Sequence, residues 1–404
     1  MANQFQSITS GLAELKNFYE GPIVDQLSED IPIYRAAEKV KKGWSGYQVI
    51  RPLRVRRNQG IGATTDGGTL PAIGRQSTVQ ASFQSAFNYL RFGVTGPMIK
   101  ASKSDVGSFV RSAAYELEMG FKDLSSDMNR QLSWNGDGTL ALVNTTAVAS
   151  TTLVIKGRET NAPATQFVDV DMVFDVISGG VVVAQGITIN AVSGTPTALT
   201  ATLTLSAAVS VTAGDSIVRS GSYNNEVKGL LYSLDGGTST IYGVDRSTYQ
   251  SYQSNVTDLA GAQLTLDAMQ TPWNNALRRG GQEFNAVWTD FDSLRFYQKL
   301  LTPDKRYSNT VEGDGSFGKK GKFFLDWNGL PVVPDKDCPK RFFFLSAQAL
   351  KNYILCELEF ADETGSMYIA QTSADSFETR IRLFNQLFNE QPAAQGVLED
   401  YISP

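Results

Sequence analysis

Between Tyr47 and Phe87 two runs of alternating residues flank a glycine-rich stretch. On the way out Tyr47, Val49, Arg51, Leu53 and Val55 share one parity, and on the way back Val79, Ala81, Phe83 and Phe87 recur at even spacing. Gly60, Gly62, Gly67, Gly68 and Gly74 lie between them. A period of two around such a tip predicts a long β-hairpin. A two-stranded ribbon is at best marginal on its own, so this one must pack on another element or another chain. The fold therefore has to carry a protrusion, and a protrusion suits an assembling protein.

The longest helical period comes next. From 105 to 134, Val106, Phe109, Val110, Ala113, Leu117, Phe121, Leu124, Met128 and Leu132 return every three or four positions, with Ser104 placed to cap and Asp105 at the positive end. A helix of that length runs about 45 Å and can serve as a rigid spine. After Gly138 the composition changes abruptly. Residues 138–222 hold only eight charged side chains (Lys156, Arg158, Glu159, Asp169, Asp171, Asp175, Asp215 and Arg219), and threonine, valine, alanine and glycine dominate. Strand-like runs at 151–156, 166–177, 181–192, 198–205 and 215–219 predict an inserted antiparallel barrel or sandwich.

Elsewhere Phe5, Ile8, Leu12, Leu15 and Tyr19 predict an amphipathic helix that Gly21-Pro22 stops, followed by an extended arm to about residue 44. Beyond Gly229 the pattern is mixed: a helix over 264–279 ending at Gly280-Gly281, a strand over 284–288, a helix over 291–301, and strand-like runs at 341–345 and 366–388. The fold class is α+β, and 404 residues allow two or three compact units.

The chain contains no histidine. That removes the commonest general acid/base and metal ligand near neutral pH, so triads, Cys/His pairs and the usual zinc sites are excluded and no catalytic, cofactor or metal residue is assigned. Carboxylate or lysine chemistry stays open. Two cysteines, Cys338 and Cys356, are too few for a disulfide framework and fit a reducing compartment. The N-terminus lacks a secretory signal pattern and no apolar run reaches bilayer-spanning length, so a cytoplasmic protein without a membrane partner is expected. Gly313, Gly315 and Gly318 match G-x-G-x-x-G, but Lys319-Lys320 follow where a helix should begin, and the reading is a loop. Asp169, Asp171 and Asp175 complete no calcium pattern and read as solvated strand faces.

Charge is divided along the chain although the net value is only −5. From Arg35 to Arg57, Arg35, Lys39, Lys41, Lys42, Arg51, Arg54, Arg56 and Arg57 face Glu38 alone. From Glu357 to Asp400, nine acids that include Glu357, Glu359, Asp362 and Glu363 oppose only Arg380 and Arg382. Opposite ends would attract neighbouring copies to one another. A solvated face and a nucleic-acid patch are the rival readings. Aromatic interleaving in the basic segment is slight.

Several stretches carry a family resemblance: Gly93-Val94-Thr95-Gly96-Pro97-Met98-Ile99-Lys100-Ala101-Ser102 ahead of the long helix, Glu226-Val227-Lys228-Gly229-Leu230-Leu231 after the β insertion, Gly329-Leu330-Pro331-Val332-Val333-Pro334-Asp335, and Pro392 to Leu398. With the order of elements, they resemble tailed-bacteriophage major capsid proteins of the Hong Kong 97-like fold. The resemblance implies an N-terminal arm at 1–45, an extended loop at 46–98, a peripheral domain with the spine helix at 99–137, and the inserted β-rich module at 138–222. It further implies an axial domain with return to the peripheral domain at 223–365, and C-terminal peripheral strands at 366–404.

The function implied is a shell protein, not an enzyme, that self-assembles into pentamers and hexamers of an icosahedral head. Its partners would be its own copies, portal, scaffolding and possible decoration proteins, and packaged double-stranded DNA through weak non-specific contacts. Assembly would take place in a host bacterial cytoplasm, and the product would be a virion capsid. Arg51, Arg54, Arg56, Arg57, Gly67, Gly68, Arg75, Glu357, Glu359, Asp362 and Glu363 are the expected subunit-interface residues. Alternatives are an encapsulin-like nanocompartment shell and a β-rich adhesin or carbohydrate-binding protein acting through 138–222. Some members of the resembled family weld their shells by an isopeptide bond from a lysine on the extended loop. Here residues 47–99 contain no lysine, so a shell without cross-links is expected.

Overall fold

The computed structural model describes residues 33, 38–40, 44, 46–97, 112–160, 162–301, 325–361, 369–370 and 375–404. The expected N-terminal helix at 5–19, nearly all of the arm, and Gly313 to Gly318 lie outside these residues, as do Val106, Phe109 and Val110 of the long period.

Helix α1 spans Ser112–Ser133. Its apolar period places Leu124, Met128 and Leu132 in the interior. Gly136, with φ +79°, turns the chain so close to Val227 that a Cβ there would stand 2.9 Å from its carbonyl oxygen, which only glycine allows.

Six strands then close a barrel, in the order Ser216–Arg219, Thr139–Val143, Ala147–Lys156, Thr200–Val211, Val181–Ser193 and Val173–Ser178. Leu153, Ile155, Phe174, Ile189 and Leu203 fill it. Thr139–Val143, too short to stand out as an alternating run, is a barrel strand absent from the sequence expectation. Residues 166–172 are not a strand: Asp171 has φ +64° in a turn, and the strand begins at Val173. Nor is Asp175 a solvated face. It is buried and accepts the N–H of Gly186 at 2.8 Å and of Gly221 at 2.9 Å, pinning two turns.

A six-stranded mixed sheet runs Asn255–Gln263, Gly396–Ile402, Phe342–Leu345, Ala286–Thr289, Leu330–Pro334 and Leu325–Trp327. Phe342 and Phe344 face a core with Met269 and Ala276 of helix α2 (Leu266–Gly280) and Leu294 and Tyr297 of helix α3 (Phe291–Leu301). Phe343 and Leu345 face the opposite core, with Met128, Leu132 and Trp288. Burial on both faces is why this strand reads as an unbroken apolar run. The C-terminal Gly396–Ile402 joins this sheet and not the one holding Ser376–Asn389, because Val397, Leu398 and Tyr401 complete its two cores. Residues 366–404 therefore serve two sheets.

The second sheet contains Glu38–Val40, Leu350–Phe360, Ser376–Asn389 and Ile369–Ala370, with Ala86–Thr95 paired to Ser376–Asn389. The chain divides into two compact units. The smaller draws on 90–124 and 360–381. Within it Phe121 meets Phe360 edge-on, and Arg91 forms a two-pronged pair with Glu378 at 2.9 and 3.0 Å. The hairpin strands, Val49–Arg56 and Ser77–Phe83, form a two-stranded sheet of their own in the larger unit. No helix of the described residues is long and apolar enough to cross a membrane.

Candidate assembly interface

The lower hairpin finds its packing within the chain. Ala81 and Phe83 enter a core with Tyr242, Tyr252, Tyr353 and Phe388, and the ring of Phe83 stacks on that of Phe388 at 4.5 Å. Ser82 N–H donates to Tyr242 O at 2.8 Å and Ser251 Oγ to Val55 O at 2.9 Å. Above Arg56 the ladder ends. Gly60 and Gly74 approach so closely that a Cβ on Gly74 would lie 2.3 Å from the Gly60 nitrogen, and this neck closes the loop. At the tip Gly67 adopts φ +70° while Gly68 N–H closes the turn on Thr65 O at 2.9 Å.

Among the side chains that the loop presents, three are large and aliphatic. Ile61, Leu70 and Ile73 are 84%, 76% and 103% exposed. The sequence reading of the hairpin rested on strand parity and tip glycines, so it passed over these three, although each is visible as a large aliphatic residue among turn formers.

The expected interface residues divide into three groups. Arg51 reaches Glu390 at 3.0 Å, and Glu390 also holds Lys351 at 3.4 Å. Arg56 lies over the Tyr249 ring at 5.5 Å, while Arg54, Arg57 and Arg75 are exposed and have no carboxylate at ion-pair distance among the described residues. On the acidic side Glu359 pairs with Arg382 at 2.7 Å and Glu357 is exposed. Asp362 and Glu363 lie outside the described residues. Arg279 was not anticipated. It comes from α2, yet with Arg51, Arg54, Arg56 and Arg57 it lines one groove of about 630 Å³ beside the hairpin base.

The barrel is tied down at its root by buried charge. Arg130 of α1 donates to Glu226 at 2.6 Å and Asp127 at 3.0 Å, and all three lie in the interior or at its margin. Burial pushes the Glu226 carboxyl up despite Arg130. Burial would also raise Asp127, but Arg130, Arg219 and hydrogen bonds from Arg130 and Gln131 outweigh it and bring that carboxyl down to about 2. Arg158 covers the Trp134 ring at 4.2 Å and pairs with Asp137 at 2.9 Å. A further tie runs from Glu159 to Arg341 at 2.7 Å, and Arg341 also binds Glu399 at 2.6 Å. Among the described residues no cluster of three or more acidic or cysteine side chains is arranged to hold a metal ion.

No protein-family model matches the chain, and no curated protein matches it. Solved structures do match along nearly its whole length. A chain of the Cyanophage A-1(L) capsid asymmetric unit is 14% identical with a TM-score of 0.62, covering 98% of this chain and 99% of that one. A chain of the capsid of a native GTA particle is 9% identical with a TM-score of 0.54, covering 99% and 100%. The holo-SrpI encapsulin complex of Synechococcus elongatus PCC 7942 aligns at 9% identity and a TM-score of 0.48, covering 98% and 96%. The likeness to the two capsid chains is distant and shows the fold alone: α+β, with mixed sheets and a barrel.

Proposed function

We propose that this chain is the major shell protein of a phage head, self-assembling into pentamers and hexamers of an icosahedral container for double-stranded DNA. The observation that carries the reading is the hairpin. Its base is anchored in the chain's own core, whereas its tip offers Ile61, Leu70 and Ile73 to solvent on a loop with no strand partner among the described residues. Large aliphatic residues exposed on one loop are candidates for a contact surface, and a loop that enters a neighbour generates rings when the rotation closes.

In this reading 46–98 is the extended loop, α1 belongs to the spine helix, and the sheet packed by α2 and α3 is the axial domain. The barrel is the inserted module. Arg54, Arg56, Arg57 and Arg75 meet acids of adjacent copies, with Glu357 among the candidates. Portal, scaffolding and decoration proteins are the further partners.

Sedimentation velocity over a concentration series tests this. The expected result is a jump from the 44.0 kDa chain or its capsomers to one discrete large species. A single 44.0 kDa boundary at every concentration, also with scaffolding protein present, would refute it.

A further inference from the structure

Among the described residues, the groove beside the hairpin base carries an excess of positive charge. Among the described residues, five arginines line it, Arg51, Arg54, Arg56, Arg57 and Arg279, against one carboxylate, Glu390. Glu390 is already shared between Arg51 and Lys351. Arg279 is fixed by neutral oxygens, Asn255 Oδ1 at 2.6 Å and Gln250 O at 2.5 Å. Helix α2 ends here, and two of its terminal carbonyls already have donors: Leu277 O accepts from Gly281 N–H at 3.0 Å and Gly280 O from Gln391 Nε2 at 3.1 Å.

A concave surface of one sign concentrates potential. Guanidinium forks match phosphate oxygens two at a time. Adjacent phosphates supply several such anions within a short span, and four of the five arginines lack a carboxylate partner among the described residues.

We propose that this groove binds a run of adjacent phosphates, supplied either by free polyphosphate or by a nucleic-acid backbone. Because Arg54, Arg56 and Arg57 are the groups assigned above to neighbouring copies, bound oligophosphate competes with that contact and delays assembly. This second part rests on the shell reading.

The test is calorimetric titration of the unassembled full chain at low salt with inorganic tripolyphosphate, and separately with an abasic deoxyribose-phosphate oligomer. Saturable binding is expected, weakening linearly with salt on logarithmic axes. The double variant R54Q/R57Q should bind about tenfold more weakly or worse, whereas R75Q, altered on the tip loop outside the groove, should bind as wild type. Binding of tripolyphosphate alone supports free polyphosphate as the source, and equal binding of the oligomer supports the backbone. Absence of saturable heat with both, or equal weakening in R75Q, overturns the site. Light scattering then separates the two readings. A chain that binds tripolyphosphate through the groove but never assembles keeps the site and loses the shell, while one that assembles without binding it does the reverse.

Discussion

Replacing Ile61, Leu70 and Ile73 together by serine should raise the assembly threshold without weakening the subunit. The three side chains are 84%, 76% and 103% exposed, so almost all their apolar surface is available to a neighbour and almost none supports the isolated fold. Full burial of such a side chain contributes about 1.5–3 kcal/mol. If a neighbour covers half of each, the contact loses about 2–4 kcal/mol per copy, roughly a thirtyfold to thousandfold weakening. The subunit itself should change by no more than about 0.5 kcal/mol, as surface substitutions usually do. Light scattering against concentration reads the threshold, and urea unfolding of the unassembled chain reads stability. Assembly at the wild-type threshold would refute the reasoning, as would a large fall in the urea midpoint, which would mean the tip supports its own chain.

Arg130→Met removes the partner of the buried Glu226 carboxylate and one partner of half-buried Asp127, and should cost about 3–5 kcal/mol in urea unfolding, with much of the loss recovered in R130M/E226M; a loss below about 1 kcal/mol would show that the root of the barrel does not depend on this pair. Burial raises Asp290 and Asp335 to about 6; at Asp335 the backbone N–H of Asp337, Asn129 and Lys336 oppose the rise while the Asp337 carboxylate adds to it. Both pKa values lie above the unfolded value, so their stabilisation is full below about 4 and is lost as pH rises through 6, about 3 kcal/mol for a two-unit shift. The urea midpoint of the unassembled chain should therefore climb from pH 7.5 to 5, and flatten in D290N/D335N; a wild-type midpoint that falls over that interval contradicts the assignment. Boiled, reduced particles should run as one band near 44.0 kDa, since residues 47–99 offer no lysine, and a ladder of higher species would contradict it.

The elements with one strong period were legible. Helices α2 and α3 at Leu266–Gly280 and Phe291–Leu301 differ by only a residue or two from the spacing of their apolar positions, since each buries one stripe against one sheet. The strand parity of 49–56 and 77–83 was legible for the same reason. Thr139–Val143 was not, because all but one of its five residues are buried and no alternation remains to be read. Asp175 misled because a strand aspartate ordinarily faces solvent, and only the turns at Gly186 and Gly221 supply its N–H partners. Of the groove, Arg51 to Arg57 stood out as a basic run. Glu390 belonged to the acidic run, but its meeting with Arg51 inside the same chain did not show, nor did Arg279, since more than two hundred residues separate the hairpin from α2 and local sequence carries no sign of that meeting.

Electron microscopy of the purified, assembled protein tests the central claim most directly. The account predicts closed icosahedral shells whose clusters show fivefold and sixfold symmetry, with density for the hairpin tip at 57–76 lying on the adjacent copy. Dispersed single chains at high concentration, or particles in which each hairpin tip contacts only its own subunit, would contradict it.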